Sequence, residues 1–134
     1  MKPTRYMLDT DTFSYLVTNR YPAVREHVRR HQSKIVLSSI TVAEALYGAR
    51  KKGSSRLEDL IGLFQDLFAV IDWDAQAASA YADIRVALER AGTPIGNMDV
   101  MIAAVAKASG CVLVTNNQAH FSHVPDLVLE NWVV

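Results

Sequence analysis

RYMLDTDTFSYL, residues 5–16, changes character halfway along. Residues 5–8 read as a short strand that carries apolar side chains into a sheet core. Asp9 follows at once, and residues 12–17 read as a short helix. A strand that ends in a carboxylate and turns directly into a helix is the repeating unit of a parallel α/β sheet. The remaining chain repeats that alternation. Pro22 suits the first turn of a second helix reaching residue 32, because proline there forfeits no helical hydrogen bond. Residues 34–37 form a β-branched-rich strand leading into Ser38 and Ser39. Helical patterns follow at 41–51, stopped by Gly53, and at 56–68, where Leu57, Leu60, Ile61, Phe64, Leu67 and Phe68 recur at helical spacing. Residues 69–73 are a brief strand. Asp74 is placed to cap a long alanine-rich helix that ends before Gly92. Residues 98–109 form another helix, closed by Gly110. Residues 111–115 are a buried type of strand, and 127–130 the last.

Strands separated by helices predict a three-layer α/β/α arrangement in which helices cover both faces of a mostly parallel sheet. The 134 residues fit one domain, 1–134, with no linker or repeat. Half the chain is apolar, enough for a packed core, and no apolar run approaches the roughly 20 residues that span a bilayer. The opening residues turn acidic before a signal-like apolar segment develops. Cys111, the single cysteine, lies in the run CVLV and reads as a small buried residue. The expectation is a cytoplasmic protein with no membrane association. Fourteen basic residues balance fourteen acidic ones, which argues against a generic nucleic-acid coat protein but not against a nuclease.

In such sheets, ligands gather beyond the carboxyl ends of the strands. The residues there are Asp9 and Asp11, then Ser38, Ser39 and nearby Glu44, then Asn116 and Asn117. Each has a structural alternative. Asp9 or Asp11 can cap the first helix. Thr41-Val42-Ala43-Glu44 fits a capping box. Asp99, in GTPIGNMDVMIAAVAKASG, can complement the dipole of the helix it opens, although its apolar neighbours favour a site. Asn116 and Asn117 can serve a turn, or reach a metal-bound water. Carboxylates and amides are hard oxygen ligands that suit Mg²⁺ or Mn²⁺ rather than Zn²⁺. His27 and His31 are four apart on a basic helix and read as a solvated face. His120 and His123 have no assignment. An acidic cluster whose own motifs contain no Lys or Arg clamp fits metal-assisted phosphodiester hydrolysis.

Four segments in order resemble the PIN-domain family, and within it the VapC toxins. These are YMLDTDTFSYL with its acid at Asp9, SSITVAEALYGA at Glu44, GTPIGNMDVMIAAVAKASG at Asp99, and VTNNQAHF with an Asp-or-Asn position at Asn117. The resemblance runs from about Arg5 to Trp132. It implies a PIN fold, with Asp9, Glu44, Asp99 and Asn117 as the catalytic set and Asp9 and Asp99 as metal ligands. It also implies a Mg²⁺- or Mn²⁺-dependent endoribonuclease acting on structured RNA, often tRNA. A homodimer and a cognate VapB-type antitoxin that blocks the site complete the implication. Asp11 stands where the family commonly has Asn, and Asn117 carries no charge where others have Asp.

Two basic clusters are candidate RNA contacts: Arg25, Arg29, Arg30 and Lys34, and Arg50, Lys51 and Lys52 with Arg56. Either is equally a solvated helix face. The apolar stripe of residues 57–68 is broad enough to add a groove for an antitoxin helix to its core role. Two rivals remain. RYMLDTDT also resembles the DxDx[TV] nucleophile motif of haloacid dehalogenase-like phosphatases, but CVLVT leads into Asn116 and Asn117 instead of an acidic pair. A non-catalytic scaffold of PIN type would have little use for three carboxylates where phosphate approaches.

Overall fold

Met7 and Leu8 are both fully buried, yet they belong to different cores on opposite faces of one sheet. Adjacent strand residues point to opposite faces, so a short apolar strand can serve two layers at once. The computed structural model describes residues 3–134. Its strands are β1 (Tyr6–Leu8), β2 (Ile35–Ser38), β3 (Ala69–Ile71), β4 (Val112–Val114) and β5 (Leu129–Glu130). Its helices are α1 (Thr10–Thr18), α2 (Pro22–His31), α3 (Ser39–Lys51), α4 (Ser55–Leu67), α5 (Ala75–Arg90), α6 (Asn97–Ala108) and the single turn α7 (Gln118–Phe121). A 3₁₀ turn, Gln32–Lys34, joins α2 to β2.

The strand order is β3-β2-β1-β4-β5, and every pairing is parallel. In register, Met7 stands beside Val36 and Leu113, and Leu8 beside Leu37 and Val114. The first trio packs under α5 and α6. The second packs under α1, α2 and α4 with Phe13, Val24, Ile61 and Trp132. This is the expected three-layer α/β/α arrangement, with the sheet parallel throughout. The order reverses between β1 and β4, which makes the crevice beyond their carboxyl ends the expected binding position.

Helix ends follow from local chemistry. Gly92 and Gly110 take left-handed φ of 72° and 68°. Each closes its helix by paired bonds back into the last turn: Gly92 N–H to Glu89 O with Thr93 N–H to Leu88 O, and Gly110 N–H to Lys107 O with Cys111 N–H to Ala106 O. The second of these turns delivers the chain straight into β4. Asp74 caps α5 as its sequence suggests, its Oδ1 accepting from Ala77 N–H at 2.9 Å.

Three expectations change. α1 begins at Thr10 and not at residue 12, because Asp9 supplies the cap. α3 begins at Ser39, capped by the Ser38 hydroxyl, so Thr41 lies inside the helix and forms no capping box with Glu44. His27 and His31 are not a solvated face: both rings stack on Trp132, at centroid distances of 5.2 and 5.4 Å. Trp132, buried to 1% exposure, thereby ties the last residues to α2 and to Tyr6 of β1.

Candidate active site

The carboxyl ends of β1 and β4 lie side by side, joined by Asp9 N–H donating to Val114 O at 3.0 Å. Beyond them opens a cavity of about 200 Å³ lined by Asp9, Asp11, Glu44, Asp99 and Asn117, with Thr10 and Phe121. All four residues expected to form the catalytic set therefore line one space, and so does Asp11. They arrive on four separate segments: the β1–α1 junction, α3, the first turn of α6, and the residue before α7.

Asp9 both caps α1, its Oδ1 accepting from Thr12 N–H at 2.8 Å, and lines the cavity. It is 4% exposed, and burial pushes its carboxyl above the usual carboxylate range. The Thr115 hydroxyl and the Thr12 N–H oppose that rise, and the charge of Asp11 adds to it. Asp99 is raised for the same leading reason, burial, with His120 opposing and Asp11 adding. Its Oδ2 lies 3.2 Å from His120 Nε2. Asp9 at a helix cap and Asp99 in a first turn also meet the positive ends of α1 and α6.

Glu44 is held by a residue the sequence reading did not single out. Thr10 Oγ1 donates to Glu44 Oε1 at 2.6 Å and sits 3.3 Å from Thr41 Oγ1. With the capping box absent, the carboxylate of Glu44 is free to serve the cavity. A hydroxyl between two aspartates was the available signal for Thr10, but serine and threonine are too common at helix starts for it to stand out.

Other strand-end candidates are occupied elsewhere. Ser38 caps α3, the Ser39 hydroxyl accepts from Trp73 N–H, and the Asn116 amide pairs with Asn131. Among the described residues, no three acidic, histidine or cysteine side chains already converge tightly enough to cage an ion. The acids instead ring a space wide enough for a hydrated one. Mg²⁺ characteristically binds through one or two carboxylates and keeps several waters. The donor set, which offers oxygen ligands and among the described residues no cationic side chain on the cavity wall, fits Mg²⁺ or Mn²⁺.

The basic candidates separate. Lys52 lines a groove of about 200 Å³ between α1, α3 and α4 that shares Thr10, Asp11 and Glu44 with the acidic cavity. Arg50 is paired with Glu58 at 2.8 Å, and Lys51 lies over the Tyr47 ring. Lys34 precedes β2, at the amino edge of the sheet, opposite the carboxylates. Arg29 is bound to Glu26 at 2.6 Å, with Arg30 3.9 Å from the same oxygen. Arg25 reaches Leu16 O in the last turn of α1 and is not part of the cavity wall.

The description of the PIN domain matches residues 6–127 of the chain. A Salmonella typhimurium protein named tRNA(fMet)-specific endonuclease VapC is 38% identical over 129 residues, covering 96% of this chain and 98% of the relative. Ribonuclease VapC2 of Haemophilus influenzae is 36% identical over 132 residues, with 96% and 98% covered. The crystal structure of VapBC2 from Rickettsia felis, bound to a DNA fragment from their promoter, contains a chain that superposes with a TM-score of 0.89. That chain is 33% identical, with coverage of 96% of this chain and 99% of the other.

Proposed function

The chain belongs to the PIN-domain family, among the VapC ribonucleases, and from that premise we propose that it is the toxin of a toxin–antitoxin pair, a divalent-metal-dependent endoribonuclease that hydrolyses phosphodiester bonds in structured RNA. The family assignment removes the phosphatase alternative. The observation that carries the proposal is the cavity at the switch point of the sheet, lined by Asp9, Asp11, Glu44 and Asp99 with no cation in its wall among the described residues. Such a wall repels a phosphodiester unless a metal ion intervenes.

Asp9 and Asp99 would hold the ion. When bound, Mg²⁺ or Mn²⁺ stabilises charge developing on the phosphate and eases deprotonation of the attacking water. His120 fixes Oδ2 of Asp99 and leaves its other oxygen for the cavity. Thr10 occupies one oxygen of Glu44, so the second is the acceptor that orients water for attack. Asn117 brings a neutral amide that can donate to a phosphate oxygen without adding repulsion.

Two further relationships belong to this reading. The groove between α1, α3 and α4, walled by Phe13, Val17, Ala49 and Ile61, opens onto Glu44 and suits an apolar helix face of a VapB-type antitoxin. The VapBC2 structure supports that partner class. A homodimer and a cytoplasmic tRNA substrate are the remaining elements, the latter supported by the name of the Salmonella relative.

The test is incubation of the purified chain with deproteinised bacterial RNA, including tRNA, in Mg²⁺, Mn²⁺ or EDTA, with Asp99→Ala alongside. Discrete fragments that require metal and vanish in the variant are expected. Folded, antitoxin-free protein that cuts no RNA would leave only the binding-scaffold reading.

A further inference from the structure

Beside the acidic cavity lies a larger one, of about 380 Å³, with which it shares Asn117. Its other walls are the loop of Thr93, Pro94 and Ile95, and the α7 region with Ala119, His120 and His123. The loop takes this shape because the Gly92 turn ends α5 and Pro94 cannot continue a helix. The volume lies within the ~300–1,000 Å³ usual for small-ligand sites.

The chemistry of the two cavities is opposite. The first is walled by carboxylates. The second has no carboxylate in its wall; it offers two imidazoles, an amide and an apolar shelf of Pro94 and Ile95. The buried Thr93 hydroxyl has no hydrogen-bond partner among the described residues. Flat rings beside an apolar shelf suit the π-face of a nucleobase, and an amide suits its polar edge. A wall free of carboxylates also admits the phosphate on which that base hangs.

We propose that this cavity is the subsite for the nucleotide adjoining the scissile phosphodiester, with its base held between His123 and the Pro94–Ile95 shelf. The proposal rests on the ribonuclease reading and adds which nucleotide the protein grips. His120 is already engaged with Asp99, so His123, which is solvent-exposed, is the group available to stack. Asn117 then spans both spaces and sets the spacing between the gripped base and the cut.

His123→Ala removes an exposed ring and leaves the fold intact. Against deproteinised tRNA in Mn²⁺, KM is expected to rise about tenfold with kcat nearly unchanged, the scale of one lost base–aromatic stack. His123→Phe keeps a ring without a charge and is expected to restore most of the loss. On a short RNA spanning the mapped cut, an abasic nucleotide at one position beside the cut should weaken wild type to the same extent and leave His123→Ala unaffected. Wild-type cleavage with an unchanged KM in His123→Ala would overturn the subsite while sparing the ribonuclease reading. Failure of His123→Phe to restore binding would replace stacking with charge and overturn it as well. A wild-type protein that cuts no RNA would overturn both.

Discussion

Replacing Asp9 by Asn should stabilise the metal-free protein while abolishing cleavage. The carboxylate is 4% exposed, and its upward-shifted pKa is the net of burial and Asp11 against the Thr12 N–H and the Thr115 hydroxyl. A native pKa above the unfolded one means that the native state prefers the protonated acid. That contribution is complete below the ordinary aspartate value of about 3.9 and is lost as pH rises through the raised native value. Once ionised, the wild type carries an unfavourable buried charge that Asn lacks. Asn is also as good a helix cap as Asp, so the bond to Thr12 N–H survives. The variant is therefore expected to be more stable than the wild type in the absence of an ion. Thermal unfolding in EDTA at pH 7.5 and pH 4 reads it: the variant should melt higher at pH 7.5, with the difference vanishing toward pH 4. Mn²⁺ should then stabilise the wild type, which binds the ion in its native state, far more than the variant. Equal melting at pH 7.5 in EDTA, or equal stabilisation by Mn²⁺, would refute the claim that Asp9 is a costly charge kept for an ion.

Thr10→Val should lower kcat about tenfold to a hundredfold, the equivalent of a hydrogen bond to a charged group, with little change in KM or Tm; steady-state cleavage separates these, and a rise in KM alone would contradict the orienting role. Lys52→Ala should weaken RNA binding and reduce the salt slope by about one unit, whereas Lys34→Ala at the opposite edge should do neither, as anisotropy titrations across ionic strength would show. Trp132→Ala removes a ring buried against Tyr6, His27 and His31. It should cost about 3–5 kcal/mol and lower Tm by roughly 10–15 °C, while the cavity chemistry at the far edge of the sheet persists in calorimetry and cleavage assays run below the transition.

The sheet was readable because its signals are local. A strand followed by a carboxylate, a glycine after α3, α5 and α6 and a proline at the start of α2 each have a short-range cause. The convergence of Asp9, Glu44 and Asn117 followed from one rule, that strand ends meet at one edge, whereas Asp99, which follows a helix and a loop, was placed by the apolar run around it and the resemblance of its motif to the PIN-domain family. What escaped was decided by distant packing. The interval Thr41 to Glu44 satisfies a capping box, but Ser38 lies one turn earlier and captures the helix start, and no periodicity chooses between them. The partner of Glu44 is Thr10, 34 positions away. His27 and His31 look like a charged helix face until Trp132, about a hundred residues later, covers their rings. The clusters of Arg and Lys were likewise legible as charge but not as position, since only the sheet reveals which ones lie near the carboxylates.

The neutral net charge of the chain sharpens the role of the acids. A protein that bound RNA by general attraction would carry an excess of basic residues, yet here acids and bases balance at 14 each. The cavity proposed for the scissile phosphate is walled by four carboxylates, with a threonine, an asparagine and a phenylalanine. Helix ends at Asp9 and Asp99 relieve part of the repulsion among the acids, but those dipoles are fixed and equivalent to only about half a charge each. The remaining charge has to be met by something that arrives. An ion and a phosphodiester each improve the site for the other, because each supplies the charge the other lacks. By linkage the coupling is reciprocal: RNA should tighten ion binding by the same factor by which the ion tightens RNA. A site built this way stays weak toward either ligand alone, and its selectivity lies in requiring both.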